Sequence, residues 1–253
     1  MPVSSTTPVI HTPARHVMEN SHAAAERVAR SIIETVRQKP RTVLGLATGA
    51  TMEPVYRHLV AAHAGGAVSF AGVTSFNLDE YANLAPTHPG SYRSTMNRLF
   101  FDHVDIDPGK TFLPDGQSRD RRAAAQAYEA AIVAAGGIDL QLLGLGGNGH
   151  IGFNEPGSAL SSRTRQVALH ISTIEANRGF FADGAVPAEA ITMGIGTILE
   201  ARRILVLATG SRKAAAVRSA LYGTITENCP ASALLAHPSV TWIVDRDAAS
   251  LMA

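Results

Sequence analysis

The sequence predicts an α/β protein with one mostly parallel sheet of about seven strands and helices on both faces. Short apolar runs alternate along the chain with longer segments whose apolar residues recur at helical spacing. The chain has 253 residues, 45% of them hydrophobic, and no linker with a shift in composition. We therefore expect a single domain over residues 16–253, preceded by a flexible extension over residues 1–15.

Each predicted strand is a short apolar run next to a loop or turn signal. These strands lie at 42–47, 73–78, 140–145, 167–169, 190–193, 204–208 and 241–244. The predicted helices lie at 22–38, 52–62, 91–101, 119–135, 174–182, about 213–221 and 231–236. Ser21 is a candidate cap for the first helix, and Lys39-Pro40 ends it. Gly65-Gly66 and Gly136-Gly137 mark the ends of two others.

Charge and cysteine content indicate the compartment and exclude several partners. The net charge is +1, so nothing in the overall charge favours nucleic acid. No apolar stretch is long enough for a transmembrane helix, and the first residues do not resemble a signal peptide, so we expect no membrane association. The single cysteine, Cys229, excludes an intramolecular disulfide and fits a cytoplasmic location.

The predicted strand at 140–145 leads into a loop that concentrates glycine and polar residues. Four glycines, Gly144 among them, lie between positions 144 and 149 and allow the backbone to approach a ligand closely. Asn148, His150 and Glu155 follow at the carboxyl end of the strand, where α/β proteins bind ligands. The simplest alternative is an ordinary tight turn. A metal site is disfavoured, because His150 and Glu155 lack the spacing of a helical zinc pair, and we predict no metal or cofactor.

Two further loops have the composition of a ligand site. Thr48, Gly49, Ala50 and Thr51 join a strand to a helix, where free N–H groups and the helix dipole favour an anion. The Gly-Lys-Ser/Thr element of a P-loop is missing, and an ordinary strand–helix turn is the alternative. Lys213 at another helix start could balance a phosphate charge, or be a solvated surface lysine.

Asp79 and Glu80 follow the strand at 73–78. Acidic side chains at the carboxyl end of a strand lie where catalytic groups are expected, although they are also compatible with simple solvation.

Taken together, several segments resemble the glucosamine-6-phosphate deaminase family, from about residue 23 to residue 245. They read G-L-G-G-N-G-H-I-G-F-N-E-P-G at 144–157, S-F-N-L-D-E-Y at 75–81, H-P-G-S-Y at 88–92, F-F-D-H-V-D-I at 100–106 and S-R-T-R at 162–165. The resemblance implies a three-layer, Rossmann-like fold shared with phosphogluconolactonases and ribose-phosphate isomerases. It also implies conversion of glucosamine 6-phosphate and water to fructose 6-phosphate and ammonia, without a cofactor.

The resemblance assigns a role to each candidate residue. His150 would carry protons during opening of the sugar ring, since imidazole ordinarily titrates near pH 6.5. Asn148 and Glu155 would orient it. Asp79 would move the proton from C2 to C1 of the open sugar. The loop at 48–51, Gly144 and Lys213 would bind the substrate, with its phosphate at that loop and on Lys213.

The sequence departs from the family pattern near residue 179. Members place a phosphate-binding arginine directly before two phenylalanines, where this chain has Gly179, and we expect Arg178 to substitute from one position earlier. Asn148 stands where some members carry aspartate, so Glu155 should carry more of the negative charge.

Other functions within and outside the family are compatible with parts of the pattern. A deaminase for galactosamine 6-phosphate would use the same groups. The D-E-Y and F-N-E-P segments argue against a phosphogluconolactonase. A sugar-phosphate-sensing module is disfavoured because Asp79, His150 and Glu155 are all retained and no basic DNA-binding segment precedes the domain.

Some family members are hexamers that N-acetylglucosamine 6-phosphate activates by binding between subunits, partly through an arginine and a lysine. This chain keeps the arginine as Arg165 but has Val167 in place of the lysine, and it ends soon after the last predicted strand. We therefore expect hyperbolic kinetics and little activation. A homo-oligomer remains compatible with the sequence.

Overall fold

The computed structural model describes residues 9–181 and 184–252, which form two β-sheets and the helices packed around them. The larger sheet has seven strands, all parallel, in the order β1-β10-β9-β6-β2-β3-β5. Its strands are β1 Ala14–Met18, β2 Val43–Leu46, β3 Thr74–Asn77, β5 Thr111–Phe112, β6 Leu140–Gly144, β9 Ile204–Ala208 and β10 Val240–Asp245. The smaller sheet is antiparallel, in the order β4-β8-β7, with β4 Asp79–Tyr81, β7 Arg165–Ala168 and β8 Glu189–Thr192.

The helices begin where the sequence offers caps. They are α1 Ser21–Gln38, α2 Glu53–Ala64, α3 Tyr92–Leu99, α4 Arg121–Ala134, α5 Ile171–Asn177, α6 Ile195–Leu199 and α7 Ala214–Tyr222. The cap of α1 is Asn20, whose side chain accepts the N–H of Ala23 at 2.9 Å, and not Ser21 as predicted. An asparagine oxygen one residue earlier reaches the free N–H groups of the first turn equally well. Ser91 caps α3, and Asp120 caps α4.

The prediction of a mostly parallel sheet is confirmed, but its membership differs from the prediction. The predicted strands at 167–169 and 190–193 belong to the smaller sheet, as β7 and β8. Their places in the larger sheet are taken by β5 and β1, which the sequence did not single out. β5 has only two residues, and β1 is a polar edge strand that begins inside the segment predicted as an extension. Neither gives the apolar run by which buried strands are recognised.

The strand order creates a crevice between β2 and β6. After β2 the chain adds β3 on one side, whereas after β6 it adds β9 and β10 on the other side. The loops that follow β2 and β6 therefore diverge at the carboxyl edge of the sheet, which is where α/β proteins bind ligands. The main core lies around the larger sheet, with Trp242 of β10 almost fully buried within it.

The predicted helix at 174–182 is shorter and begins earlier. α5 ends at Asn177 and continues as a 3-10 turn, Arg178–Phe180, and residues 182–183 lie outside the described part of the chain. The predicted helix at 231–236 is likewise a 3-10 segment, Pro230–Ala236. Among the described residues, no helix has the length and apolar character needed to cross a membrane.

Candidate active site

A cleft of about 510 Å³ opens at the crevice between β2 and β6. Its volume suits a small polar ligand such as a sugar phosphate. The lining includes most of the predicted site residues, namely Thr48, Gly49, Thr51, Asp79, Gly144, Asn148, His150 and Lys213. It also includes Tyr92, Thr173 and Asn177, to which the sequence analysis gave no role. The structure thus brings together loops that are far apart in sequence.

Asn148, His150 and Glu155 form one hydrogen-bonded network. The amide nitrogen of Asn148 donates to Oε2 of Glu155 at 2.7 Å. Because a carboxylate only accepts, this contact orients the amide and leaves its oxygen to accept from Nδ1 of His150, also at 2.7 Å. The proton of a neutral His150 ring therefore lies on Nδ1, and Nε2 is left as the basic nitrogen.

Glu155 is the member of this network that does not line the cleft. Its Oε2 is 3.3 Å from Nδ1 of His150, and its Oε1 accepts the hydroxyl of Thr173 at 2.5 Å. Burial alone would raise the pKa of Glu155, but the hydrogen bonds from His150, Thr173 and Asn148 outweigh it and lower the pKa to about 2. Glu155 is therefore a permanent negative charge beside the imidazole.

The glycines of the loop let it fold against its own side chains. A Cβ on Gly146 would lie 2.2 Å from Nδ1 of His150, so only glycine lets the ring pack there. Gly152 has a φ of +56°, and a Cβ there would lie 3.3 Å from Oδ2 of Asp79. The loop that carries His150 thus also closes over Asp79.

Asp79 is the first residue of β4 and is 5% exposed. Burial, and next the charge of Glu80, raise the pKa of Asp79 to about 8. Near neutral pH this carboxyl group is therefore close to its titration midpoint, as a general base for a carbon acid needs to be.

Glu80, which the sequence places beside Asp79, has a structural role. Its side chain turns to the start of α3 and accepts the N–H groups of Tyr92 and Arg93, each at 2.9 Å. It also accepts the N–H of Tyr81 at 2.9 Å. Burial raises the pKa of Glu80, and these three backbone hydrogen bonds oppose that effect. Successive side chains of a strand point to opposite faces, and this separates the carboxyl groups of Asp79 and Glu80.

Another part of the cleft lining has the features of an anion site. Thr48, Gly49 and Thr51 line it between β2 and α2, and Lys213 approaches from the turn after β9. Burial, and next the charge of Arg212, lower the pKa of Lys213. A partly desolvated ammonium group gains strongly from an anionic ligand.

Two predicted binding residues lie away from the cleft lining. Ala50 is exposed at the tip of its loop, and Arg178 is exposed in the 3-10 turn that follows α5. Asn177, the last residue of α5, does line the cleft. Among the described residues, no group of three or more histidine, cysteine, aspartate or glutamate side chains is suited to hold a metal.

Sequence comparisons match most of this chain to known proteins. A family model described as glucosamine-6-phosphate isomerases/6-phosphogluconolactonase matches residues 16–242. A glucosamine-6-phosphate deaminase of Shewanella loihica is 53% identical over 94% of this chain and 89% of its own length. One from Bacillus velezensis is 51% identical over 93% of this chain and 96% of its own length.

Structure comparisons distinguish two groups of relatives. A solved structure described as a monomeric glucosamine-6-phosphate deaminase superposes with a TM-score of 0.91 and 46% identity, covering 94% of this chain and 99% of the other. The 6-phosphogluconolactonase of Trypanosoma brucei has a TM-score of 0.77 at 22% identity, covering 96% and 100%, and shares the fold alone. The chain therefore belongs to the glucosamine-6-phosphate isomerase/6-phosphogluconolactonase family, and within it to the glucosamine-6-phosphate deaminases.

Proposed function

We propose that this enzyme converts D-glucosamine 6-phosphate and water to D-fructose 6-phosphate and ammonia. One observation carries the proposal: a buried carboxyl group with a raised pKa, an oriented imidazole and a cationic side chain line one cleft. The reaction needs each of these groups. The deaminases that are about half identical to this chain support the same activity.

Ring opening is the task we assign to His150. The C1 hydroxyl must lose a proton and the ring oxygen must gain one. With Nδ1 held by Asn148, Nε2 can take the first proton and return it to the ring oxygen. The imidazolium that forms in between is stabilised by the negative charge of Glu155 at 3.3 Å.

Isomerisation of the open sugar is the task we assign to Asp79. Its carboxylate removes the proton from C2, which gives an enol-type intermediate, and then delivers the proton to C1. The C–N bond is by then that of an imine at C2, and water attacks this carbon to release ammonia. Because burial raises its pKa, ionised Asp79 is a stronger base than an ordinary aspartate.

Lys213 and the loop at 48–51 are the proposed phosphate site. Lys213 is the lysine that lines the described cleft, and the neighbouring loop offers backbone N–H groups before α2. Arg178 lies outside the lining, so we assign the charge recognition to Lys213. A solved deaminase that is 46% identical to this chain is described as monomeric, and we propose that a single subunit of this protein is likewise catalytically competent, in the cytoplasm as the sequence predicts.

The test is ammonia release from glucosamine 6-phosphate, galactosamine 6-phosphate and mannosamine 6-phosphate, with fructose 6-phosphate measured in parallel. We expect glucosamine 6-phosphate to be the preferred substrate. Hydrolysis of 6-phosphogluconolactone serves as the comparison for the other branch of the family. Binding of these sugars without turnover of any of them would instead indicate a sensing module.

A further inference from the structure

The last strand of the larger sheet ends in a carboxylate that does not line the cleft. Asp245, at the end of β10, is 5% exposed. Its two oxygens accept the N–H of Gly210, at 2.9 and 3.0 Å, and Oδ1 also accepts the N–H of Ala248 at 2.8 Å. A buried carboxylate thus joins the ends of two adjacent strands, β9 and β10.

The residue that Asp245 holds has an unusual backbone conformation. Gly210 has a φ of 86° and a ψ of 150°, a region that is essentially restricted to glycine. The turn that it starts, Ser211–Lys213, is closed by the N–H of Lys213 donating to the carbonyl of Gly210 at 3.0 Å. The backbone position of Lys213 therefore depends on the conformation of Gly210.

The position of the Lys213 ammonium group at the cleft is electrostatically unfavourable when no ligand is bound. This group is partly desolvated and lies next to Arg212, whose charge repels it. Among the described residues, no carboxylate forms an ion pair with Lys213. Long lysine side chains usually reach into solvent in this situation. The backbone conformation of the Ser211–Lys213 turn must therefore keep the Lys213 side chain at the cleft.

We propose that Asp245 is a positioning residue for substrate phosphate, because it fixes the Gly210 turn that keeps Lys213 at the cleft. This inference rests on the proposed function, in which Lys213 binds the phosphate. It adds a residue outside the cleft to the determinants of substrate affinity. The alternative is that Asp245 merely ties two strand ends together and contributes only to stability.

The two alternatives differ in steady-state kinetics. Asp245→Ala should raise KM for glucosamine 6-phosphate by about tenfold or more and change kcat by less than about threefold, as expected for loss of a binding contact. Asp139→Ala is the matched control. Asp139 is also buried and also accepts a backbone N–H, that of Val43, but it lies at the amino end of the sheet. Asp139→Ala should lower the melting temperature and leave KM unchanged.

A double-mutant cycle tests whether Asp245 acts through Lys213. If it does, Asp245→Ala combined with Lys213→Ala should raise KM no further than Lys213→Ala alone. If the fold-changes in KM of the two single substitutions multiply in the double variant, the proposal is wrong. An Asp245→Ala variant with a lower melting temperature and unchanged KM would also overturn it.

Gly210→Ala tests the turn without touching the buried carboxylate. A Cβ at this position would have no neighbour within 4 Å, so the substitution introduces only backbone strain at φ 86°. We expect a higher KM with little change in kcat, and an unchanged KM would contradict the proposal even if Asp245→Ala does not fold.

Binding of fructose 6-phosphate, measured by calorimetry, gives a readout that does not require turnover. We expect Lys213→Ala and Asp245→Ala to weaken it alike, and undiminished binding by Asp245→Ala would overturn the proposal. If the wild-type protein releases no ammonia, the proposed function fails, but this binding measurement still decides the role of Asp245.

Discussion

Two carboxylates near the same cleft lie in opposite electrostatic environments. Burial, and next the charge of Glu80, raise the pKa of Asp79 to about 8, whereas contacts with His150, Thr173 and Asn148 hold the pKa of Glu155 at about 2. Enzymes give neighbouring groups different acid and base roles by placing them in environments that shift their pKa values apart. Glu155 can serve as a fixed charge, and Asp79 can exchange protons at physiological pH.

Asp79→Asn should remove the isomerisation step and leave binding largely intact. An amide has no basic oxygen, and loss of a general base typically slows a reaction by about 10²- to 10⁴-fold. Exchange of the C2 hydrogen with solvent deuterium, followed by NMR, isolates this step. In the wild type, kcat/KM should fall as the pH drops below about 8, since the base is then protonated. Wild-type exchange by the variant would remove Asp79 from the mechanism.

Asp79→Asn should also raise the free energy of unfolding above that of the wild type, and this difference should grow as the pH rises. An unfolded aspartate titrates near pH 3.9, whereas folded Asp79 titrates near 8. Between these values the folded state holds a proton that the unfolded state has lost, so wild-type stability falls with rising pH. The neutral amide of the variant avoids this loss, and we expect a gain on the order of 1–3 kcal/mol at pH 8 that vanishes near pH 4. Urea unfolding at both pH values measures it, and an equal gain at both would contradict the raised pKa.

The sequence identified His150, Asn148 and Glu155 because one loop carries all three, and the structure shows them in contact. Thr173 donates to Glu155 from α5, a segment without any distinctive motif, so no local pattern could have revealed it. Arg178 lies in the exposed 3-10 turn that follows α5 and outside the cleft lining, so its role in phosphate binding stays a prediction.

At the level of elements, the smaller sheet determines where Asp79 lies. A single residue, Leu78, separates β3 from β4, and β4 pairs with β8 instead of continuing in the larger sheet. The sequence predicted the strand at 73–78 and its acidic end but not this change of sheet. Strand pairing is a long-range property, and three residues such as Asp-Glu-Tyr give no periodicity that would reveal it.

Glu80 links that strand to α3, and its neutralisation should affect both stability and the pH profile. Glu80→Gln weakens the charge-assisted hydrogen bonds to Tyr92 and Arg93, which should cost about 1–2 kcal/mol of unfolding free energy. It also removes the charge that, after burial, raises the pKa of Asp79, so the acid limb of kcat/KM should move to lower pH. Glu34→Gln, at an exposed carboxylate on α1, is the control and should change neither. An unmoved acid limb would show that burial alone sets the pKa of Asp79.

For the whole molecule, we predict hyperbolic kinetics and little activation by N-acetylglucosamine 6-phosphate. Arg165 is engaged internally, since it donates to Asn154 at 2.8 Å and to Ser158 at 3.2 Å. Val167 packs beside the smaller apolar cluster around Tyr81 and offers no charge. An effector acts only through a difference in affinity between two states. Initial rates with and without this ligand test the prediction, and a sigmoidal curve that the ligand makes hyperbolic would refute it.

The pairing of β1 with β10 has a consequence for how the protein is made. Residues Ala14–Met18 pair with Val240–Asp245, a strand that is synthesised much later. At about 5–20 residues per second, the first strand waits on the order of ten seconds or more for its partner. Its exposed Arg15 and the neighbouring His16 discourage pairing with other nascent chains during that time. Closure of this edge of the sheet therefore cannot occur before the chain has been synthesised through Asp245.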